Sequence, residues 1–453
     1  MKLPDYFLAD LPKGTDFSPT IIAEACLALK HNQAQYLATK STLNLVGIIG
    51  DVAADWLDPQ NPFRQVAIED GSAATGFSQP TLARGLDLFF GQLTADHLRQ
   101  LVIQDLGHLD RPDRFVATDP EQHTRRITIA TSPQLLVHFT AGNLPVPALM
   151  SMILGLLVRS AQFMKCSSGN SLLPRLLAHS IHAREPKLGA CLEIAEWPGG
   201  NIALESVLFE QADCVTATGR DETLAALRPR IPAGTRFVGY GHRVSFGYIT
   251  QEMLSQSEAR QIARAAAGDV SAWNQSGCLS PHLYFVETGG AVRPRDFAEL
   301  LATALAERES VEPRGSITPV EAGEIAMRRS VYEVRAAQSI GTQIWQSPVS
   351  TAWTVVFEDD PQFQASCLNR FVYVKPVRDI AEALHNSAAF SGRTSTVALA
   401  ACGDKFQNLA TALARWGVAR ICAPGQMQNP ALAWRHDGRP ALSELVTWTD
   451  WEL

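Results

Sequence analysis

Cys278 stands in Asn274-Gln-Ser-Gly-Cys-Leu-Ser-Pro-His282, where a helical pattern ends, a glycine-containing turn follows and a strand-like run begins. Such a turn can place a thiol in a cleft between elements. A thiol is strongly nucleophilic even when only a small fraction is ionised, so it can take up an acyl group as a thioester. Taken alone, Cys278 has two open readings, that nucleophile or a buried small hydrophobe. The other seven cysteines, at 26, 166, 191, 214, 367, 402 and 422, read as buried hydrophobes. No Cys-x-x-Cys pair occurs, which argues against a metal centre or a disulfide framework and for a reduced, cytoplasmic protein.

Three further segments have residue types suited to a site. His138-Phe-Thr-Ala-Gly-Asn-Leu-Pro145 runs from a buried strand through a Gly-Asn turn into a helix. Sites in doubly wound sheets lie outside the carboxyl ends of strands. The Asn143 amide can donate there to an oxyanion, a contact commonly worth about 3 kcal/mol of barrier, or simply cap the turn before Pro145. Met164-Lys-Cys-Ser-Ser168 ends another strand, a place where an acidic residue often holds a cofactor ribose and repels a 2′-phosphate. Here Cys166, Ser167 and Ser168 follow Lys165 with no carboxylate. That admits NADPH, with Lys165 on its ribose or phosphate; the plain alternative is a solvated lysine. Thr216-Ala-Thr-Gly-Arg-Asp221 turns from strand to helix at Gly219, where backbone N–H groups can meet a pyrophosphate and Arg220 adds charge. The Gly-x-Gly-x-x-Gly fingerprint is absent, and an ordinary strand-to-helix turn explains the segment equally well.

The elements that must position these residues follow from composition and period. A chain of 453 residues implies two or three domains. A net charge of −7 gives no global attraction to nucleic acid or anionic membranes. Residues 1–14 lack the basic start and apolar run of a signal peptide. Phe139 to Val158 carries no charge, but Gly142, Asn143, Pro145 and Pro147 break it, leaving Ala148 to Val158 as a buried helix too short to span a membrane. Residues 1–112 read as helical, from apolar spacing over Leu43–Trp56 and Pro80–Leu106. Residues 113–134 read as a flap of two strands, Arg114–Thr118 and Arg125–Thr131. Residues 135–249 alternate strand and helix, which argues for a parallel sheet covered on both faces. Residues 250–425 form a second mixed block, and 426–453 read as a hairpin tail turning at Asp437-Gly438.

In their order and spacing these pieces resemble the aldehyde dehydrogenase superfamily. More specifically, Ala141-Gly-Asn-Leu-Pro, Lys165-Cys-Ser-Ser-Gly, Tyr240-Gly-His-Arg-Val-Ser-Phe, Gly277-Cys-Leu-Ser-Pro-His and Trp434-Arg-His-Asp-Gly are similar to the LuxC-like acyl-CoA reductases, the fatty-acyl reductases of bacterial bioluminescence. The resemblance runs from about Val46 to the C-terminus. It implies an α/β fold of the aldehyde-dehydrogenase type. Residues 1–112 would be the helical part of a Rossmann-type cofactor domain, 113–134 an oligomerisation hairpin, 135–249 the nicotinamide-binding part and 250–425 the catalytic thiol domain. It implies that Cys278 accepts an acyl group from acyl-CoA or another activated donor, and that NADPH reduces it through a thiohemiacetal to an aldehyde. Asn143 and the Cys278 N–H would hold the oxyanion; Lys165, Ser167, Ser168, Gly219 and Arg220 would hold the cofactor. A homodimer or homotetramer and a partner enzyme that activates the free acid also follow from the resemblance.

Two departures from the superfamily matter. Oxidative members carry a glutamate base ahead of the nucleophile, whereas Phe237-Val-Gly-Tyr-Gly-His-Arg243 has no carboxylate. Without that base an acyl-enzyme resists water and awaits hydride or another acceptor. His242 in this turn is a candidate acid or base, with a structural histidine as the alternative. The superfamily's nicotinamide-ribose segment has no clear counterpart, its expected place being Gln364 to Leu368. Two other functions stay open: oxidation of an aldehyde, and a non-redox subunit that carries an acyl group to a partner.

Overall fold

The computed structural model describes residues 3–12 and 14–452. Its first part is helical because each segment supplies its own start. Helices α1 (Pro19–Asn32), α2 (Thr42–Leu57), α3 (Pro62–Thr75), α4 (Gln79–Gly91) and α5 (Ala95–Leu106) follow Ser18, Ser41, Asn61, Ser78 and Thr94. Each of these side chains accepts a first-turn backbone N–H, worth about 1 kcal/mol. The stretch from Pro80 to Leu106, read above as one periodic segment, is thereby two helices. Thr94 accepts from the His97 N–H and opens a second one.

The flap differs from its reading. Arg114–Thr118 forms no strand; only Val116 bridges Thr128, and Thr118 opens the short α6 (Asp119–His123) in a capping box with Glu121. The capping box competes with strand pairing and wins locally. One flap strand remains, β1 (Arg126–Thr131).

A five-stranded parallel sheet follows, built from β2 (Leu135–Phe139), α7 (Val146–Leu157), β3 (Ala161–Cys166), α8 (Leu172–Arg184), α9 (Pro186–Gly189), β4 (Leu192–Glu196), α10 (Ile202–Gln211), β5 (Cys214–Thr218), α11 (Asp221–Leu227) and β6 (Arg236–Tyr240). The spatial order is β4-β3-β2-β5-β6. The chain grows outward from β2 to β4, then returns to β5. The order therefore reverses between β2 and β5, and the crevice at their carboxyl ends is the ligand position of such sheets. β2 and β3 are buried at every residue, as strands covered on both faces must be. The one polar residue of β2, His138, ties three strands together. Its Nδ1 meets Thr216 Oγ1 at 2.6 Å, and its Nε2 donates to Gln162 Oε1 at 3.0 Å. Burial pushes it down to about 4, so this imidazole is neutral and structural.

The second sheet comprises β7 (Val244–Ile249), α12 (Gln256–Ser271), β8 (Pro281–Glu287), α13 (Pro294–Val311), α14 (Pro319–Gln338), β9 (Thr342–Gln346), β10 (Thr354–Glu358), β11 (Phe371–Val377), α15 (Ile380–Asn386), β12 (Thr394–Ala400), α16 (Gly403–Trp416) and β13 (Arg420–Cys422). Its order is β13-β12-β7-β8-β11-β10-β9, parallel except for the β9 edge. A boundary at 249 places β7 with the cofactor part, whereas β7 pairs with β8 and β12 here. Only three residues separate β6 from β7, too few for composition to mark the change of sheet.

The tail is not a hairpin. After the turn at Asp437-Gly438, Leu442, Leu445 and Val446 bury themselves in the core around the first sheet. The final strand, β14 (Thr447–Glu452), then pairs antiparallel with β1, from Arg126↔Glu452 to Thr131↔Thr447. The hairpin of the sequence reading is thus a two-stranded ribbon whose halves come from distant parts of the chain.

Candidate active site

The turn that leads to Cys278 is a strained one. Trp273, Asn274 and Gln275 all have positive φ, 51°, 51° and 63°. Left-handed conformation costs a non-glycine residue roughly 1–2 kcal/mol, so the surroundings must hold it. Trp273 packs on the bare face of Gly85 in α4, where a Cβ would lie 2.0 Å from Trp273 Cζ2. The Asn274 amide donates to Arg314 O at 2.7 Å and its oxygen accepts from Arg370 at 3.1 Å. Gln275 Nε2 donates to Pro281 O and Phe371 O at 2.7 and 2.9 Å. Arg370, fully buried, is itself held by Glu309 and the Glu312 carbonyl, at 2.7 and 2.8 Å. It closes a second left-handed run, Leu368-Asn369-Arg370. The turn before β8 and the turn before β11 therefore brace each other.

This bracing delivers Cys278 to the amino end of β8. Ser245 Oγ donates to the Cys278 carbonyl at 2.6 Å, and the Gly277 N–H reaches Ser280 Oγ, which also accepts from Gln428 at 2.9 Å. Cys278 is half-buried. Burial pushes its thiol up to about 12, and the Asp437 carboxylate pushes the same way. The Ser395 hydroxyl, the Cys278 N–H and the Arg243 guanidinium pull it down. The resting residue is a thiol at neutral pH.

Asn143 comes to the same loop from the other sheet. It leaves the carboxyl end of β2, and its Nδ2 donates to the Ser276 carbonyl at 2.8 Å, two residues before Cys278. Leu144 closes on Gly277, where a Cβ would stand 2.9 Å from Leu144 Cδ1. The two segments with the strongest chemical signals are thus neighbours across the cleft.

Lys165 lies buried at the end of β3 with its ammonium 5.9 Å from the Trp197 ring. Burial lowers its pKa, opposed by Glu205 and Glu196. Ser167 Oγ is buried without a hydrogen-bond partner, as is Trp197 Nε1. Two unpartnered polar groups at neighbouring strand ends fit a polar ligand such as a cofactor ribose. Gly142 lets this loop pass close, since a Cβ would lie 2.7 Å from Ser167 Oγ and 2.9 Å from Asn170 Nδ2 and push both side chains aside. Ser168 is exposed, and Gly219 and Arg220 lie at the end of β5, Arg220 exposed. The switch between β2 and β5 therefore has the Asn143 turn on one side and the Gly219 turn on the other.

Residues to which the sequence reading gave no part in the site also shape it. The Lys165 segment has no carboxylate, yet β4 supplies one: Glu196 pairs with Cys166 in the ladder and accepts from Gly169 and Ser171 N–H groups at 2.7 and 3.3 Å. The turn before β7 has no carboxylate either, but the tail brings Asp437, with a side chain 1 % exposed and a 3.2 Å contact to Arg243 Nε. His436 stacks on Tyr240 at 4.6 Å and 9°, which lays the tail on this turn. Asp-Gly read only as a hairpin turn in sequence; the signal available was its place in the Trp434-Arg-His-Asp-Gly motif. From the turn itself, the charge that reaches Cys278 is Arg243's. His242 is exposed, its N–H bound to Asp221 Oδ1 at 2.8 Å.

Gln364–Leu368, the expected nicotinamide-ribose region, packs on β8. The Ser366 N–H donates to His282 Nδ1 at 3.1 Å, which leaves the His282 proton on Nε2. Burial pushes His282 down to about 4. Among the described residues no cluster of His, Cys, Asp or Glu could hold a metal ion, and no helix is long and apolar enough to cross a membrane.

Known proteins match this architecture. With a benzaldehyde dehydrogenase from Corynebacterium glutamicum, titled NAD-dependent, the TM-score is 0.70 at 12% identity, covering 96% of this chain and 91% of that one. With a putative aldehyde dehydrogenase PutA from Anabaena variabilis it is 0.69 at 14% identity, covering 96% and 93%. The fold is therefore that of the aldehyde dehydrogenases. In sequence, the long-chain acyl-protein thioester reductase 2 of Photobacterium leiognathi is 23% identical over 434 residues, 93% of this chain and 84% of that protein. The long-chain acyl-protein thioester reductase of Photorhabdus laumondii is 22% identical over 417 residues, 90% and 82%. The model of the acyl-CoA reductase (LuxC) family matches residues 37–448, so the chain belongs to that family of oxidoreductases.

Proposed function

We propose that this chain reduces an acyl thioester to an aldehyde through an acyl group carried on Cys278, with NADPH as reductant. The observation that carries the proposal is the approach of Asn143 to the Cys278 turn, at 2.8 Å from Ser276 O. That approach sets a neutral amide donor beside a nucleophile.

The steps assigned to the chain's own residues are these. The Cys278 thiol loses its proton as its sulfur bonds the acyl carbon, and the donor's thiolate leaves and takes a proton. Asn143 and the Cys278 N–H donate to the oxygen while it is negatively charged. Hydride for the acyl carbon is the chemistry a nicotinamide would supply when bound. The C–S bond then breaks, the electron pair returns to Cys278 and the aldehyde departs. Lys165 and Ser167 hold the cofactor's ribose, Ser168 and the Gly219-Arg220 turn its phosphates. NADPH is preferred over NADH because Lys165 offers a cation there that, among the described residues, makes no salt bridge, whereas both Glu196 oxygens already accept backbone N–H groups. His242, exposed in the turn before β7, is the acid or base.

The donor is acyl-CoA or an acyl-protein, the second being what the relatives' names state. A homodimer or homotetramer is proposed from the β1–β14 ribbon, which leaves Trp448 and Trp451 41% and 54% exposed. Two-stranded ribbons are marginal without a covering surface. Sedimentation showing only monomer would remove that part.

A direct test mixes the protein with a long-chain acyl-CoA and NADPH or NADH and follows nucleotide oxidation and aldehyde. Turnover with NADPH that vanishes in Cys278→Ser supports the reading; undiminished turnover in that variant overturns it. A second reading, aldehyde oxidation, draws on one observation, the Asp437 carboxylate near Cys278. Its pairing with Arg243 opposes a role in activating water. Faster formation of free acid from aldehyde and NADP than of aldehyde from acyl-CoA would favour it.

A further inference from the structure

The first residues of β12 contain an irregularity that the steps above do not use. Thr394 pairs with Val244 and Thr396 with Ser245, so Ser395 is an extra residue in a β-bulge. A bulge takes a residue out of the ladder and re-aims its side chain, and bulges are frequent beside active sites. Ser395 is fully buried, and among the described residues its Oγ has no hydrogen-bond partner. A buried hydroxyl left unpaired normally costs stability, so its retention asks for a reason.

The neighbours say where it points. Ser245 Oγ receives the Thr396 N–H at 3.1 Å and donates to the Cys278 carbonyl at 2.6 Å. One side chain thus pins the residue after the bulge and the nucleophile to the same spot. Through Ser245 the bulge therefore sits against the Cys278 backbone, at a place from which the Ser395 hydroxyl favours the ionised thiol.

We infer that Ser395 is the hydrogen-bond donor to the Cys278 sulfur, unpartnered while the residue is a thiol and engaged whenever negative charge develops on Sγ. Charge develops twice, when the thiol gives up its proton to accept the acyl group and when the C–S bond breaks to release aldehyde. In both cases the O–H donates without transferring its proton, so no further reactant is required. This deepens the reading of Cys278 as the nucleophile and rests on it. Asp437 acts in the opposite direction on the same sulfur, so the pair sets how much thiolate is available.

The test is alkylation of Cys278 by iodoacetamide, mapped by mass spectrometry between pH 7 and 10, in wild type, Ser395→Ala and Ser395→Thr. The expected result is alkylation about tenfold slower in Ser395→Ala at each pH, the effect of one pKa unit on thiolate content. Ser395→Thr, which keeps the hydroxyl, should retain the wild-type rate. Equal rates in Ser395→Ala and wild type, or equal slowing in both variants, would overturn the inference. A misfolded variant would expose the thiol and react faster, so it cannot imitate the expected slowing. Alkylation needs neither acyl donor nor cofactor. Wild type that alkylates with the expected pH dependence but turns over no acyl-CoA would therefore count against the reductase reading alone.

Discussion

The side-chain amide of Asn143 donates to the backbone carbonyl of Ser276 at 2.8 Å, joining the carboxyl end of β2 to the turn that holds Cys278. The contact crosses between the two sheets, so the donor and the nucleophile keep their spacing only while the cleft is assembled. In the reaction proposed above, the same N–H group would exchange a carbonyl for a developing oxyanion. Asn143→Ala should lower acyl-CoA reduction by about 10²–10³-fold, the usual cost of one oxyanion donor. Alkylation of Cys278 should change little. Steady-state assays beside alkylation rates check both halves, and an unchanged kcat would remove Asn143 from the chemistry.

Gly142 lets the Asn143 turn pass close to the Lys165–Asn170 segment. Adding a methyl group forces Ser167 and Asn170 aside, because the clash at 2.7 Å is with a buried hydroxyl. Gly142→Ala should weaken NADPH binding by about tenfold, or about 1.4 kcal/mol, with the melting temperature within a few degrees of wild type. Fluorescence titration of the nucleotide reads this directly. Unaltered affinity would place the ribose elsewhere.

Much of the candidate site's layout is legible in the sequence because it is local. The Asn143, Lys165, Gly219 and Cys278 turns each sit where a periodic segment ends, and β2, β3, β5, β6 and β8 are short apolar runs. The parts that escaped are non-local. Glu196 stands beside Lys165 only because β4 lies next to β3, and β4 carries charged residues that hide its pattern. Asp437 reaches the Cys278 turn only because the tail crosses the first sheet before pairing with β1, a path set by the burial of Leu442, Leu445 and Val446. The left-handed Trp273-Asn274-Gln275 turn contains no glycine, so nothing local announces it. Its stability comes from Gly85, Arg314 and Arg370, each distant in sequence.

Burial keeps the Cys278 thiol protonated, the Asp437 carboxylate adds to that, and Arg243 opposes it. Asp437→Asn removes the repelling charge and leaves the Arg243 guanidinium without its carboxylate partner. Both effects favour thiolate. Alkylation of Cys278 at pH 8 should therefore accelerate by about tenfold or more, and its pH profile should move to lower pH. Arg243→Gln should move it the other way. A profile that stays in place in both variants would show that the tail carboxylate does not reach the sulfur.

His282 ties the Gln364–Leu368 segment to β8 as a neutral ring, its Nδ1 accepting the Ser366 N–H. Burial lowers it to about 4 from an ordinary 6.5. The unfolded chain therefore takes up a proton below pH 6.5 that the folded chain refuses until about pH 4, and stability falls as the pH falls through that window. The cost of this residue between pH 7.5 and 5 is about 2 kcal/mol. Glu193 and Asp269 work in the opposite sense. Burial raises both to about 7, so the cost of ionising them in the fold is relieved as the pH drops below that value. The overall curve mixes these contributions, and a single variant separates them. His282→Gln, whose side-chain oxygen can still accept the Ser366 N–H, should lose about 2 kcal/mol less than wild type between pH 7.5 and 5 in urea unfolding. Parallel curves for the two proteins would show that His282 is charged in the fold.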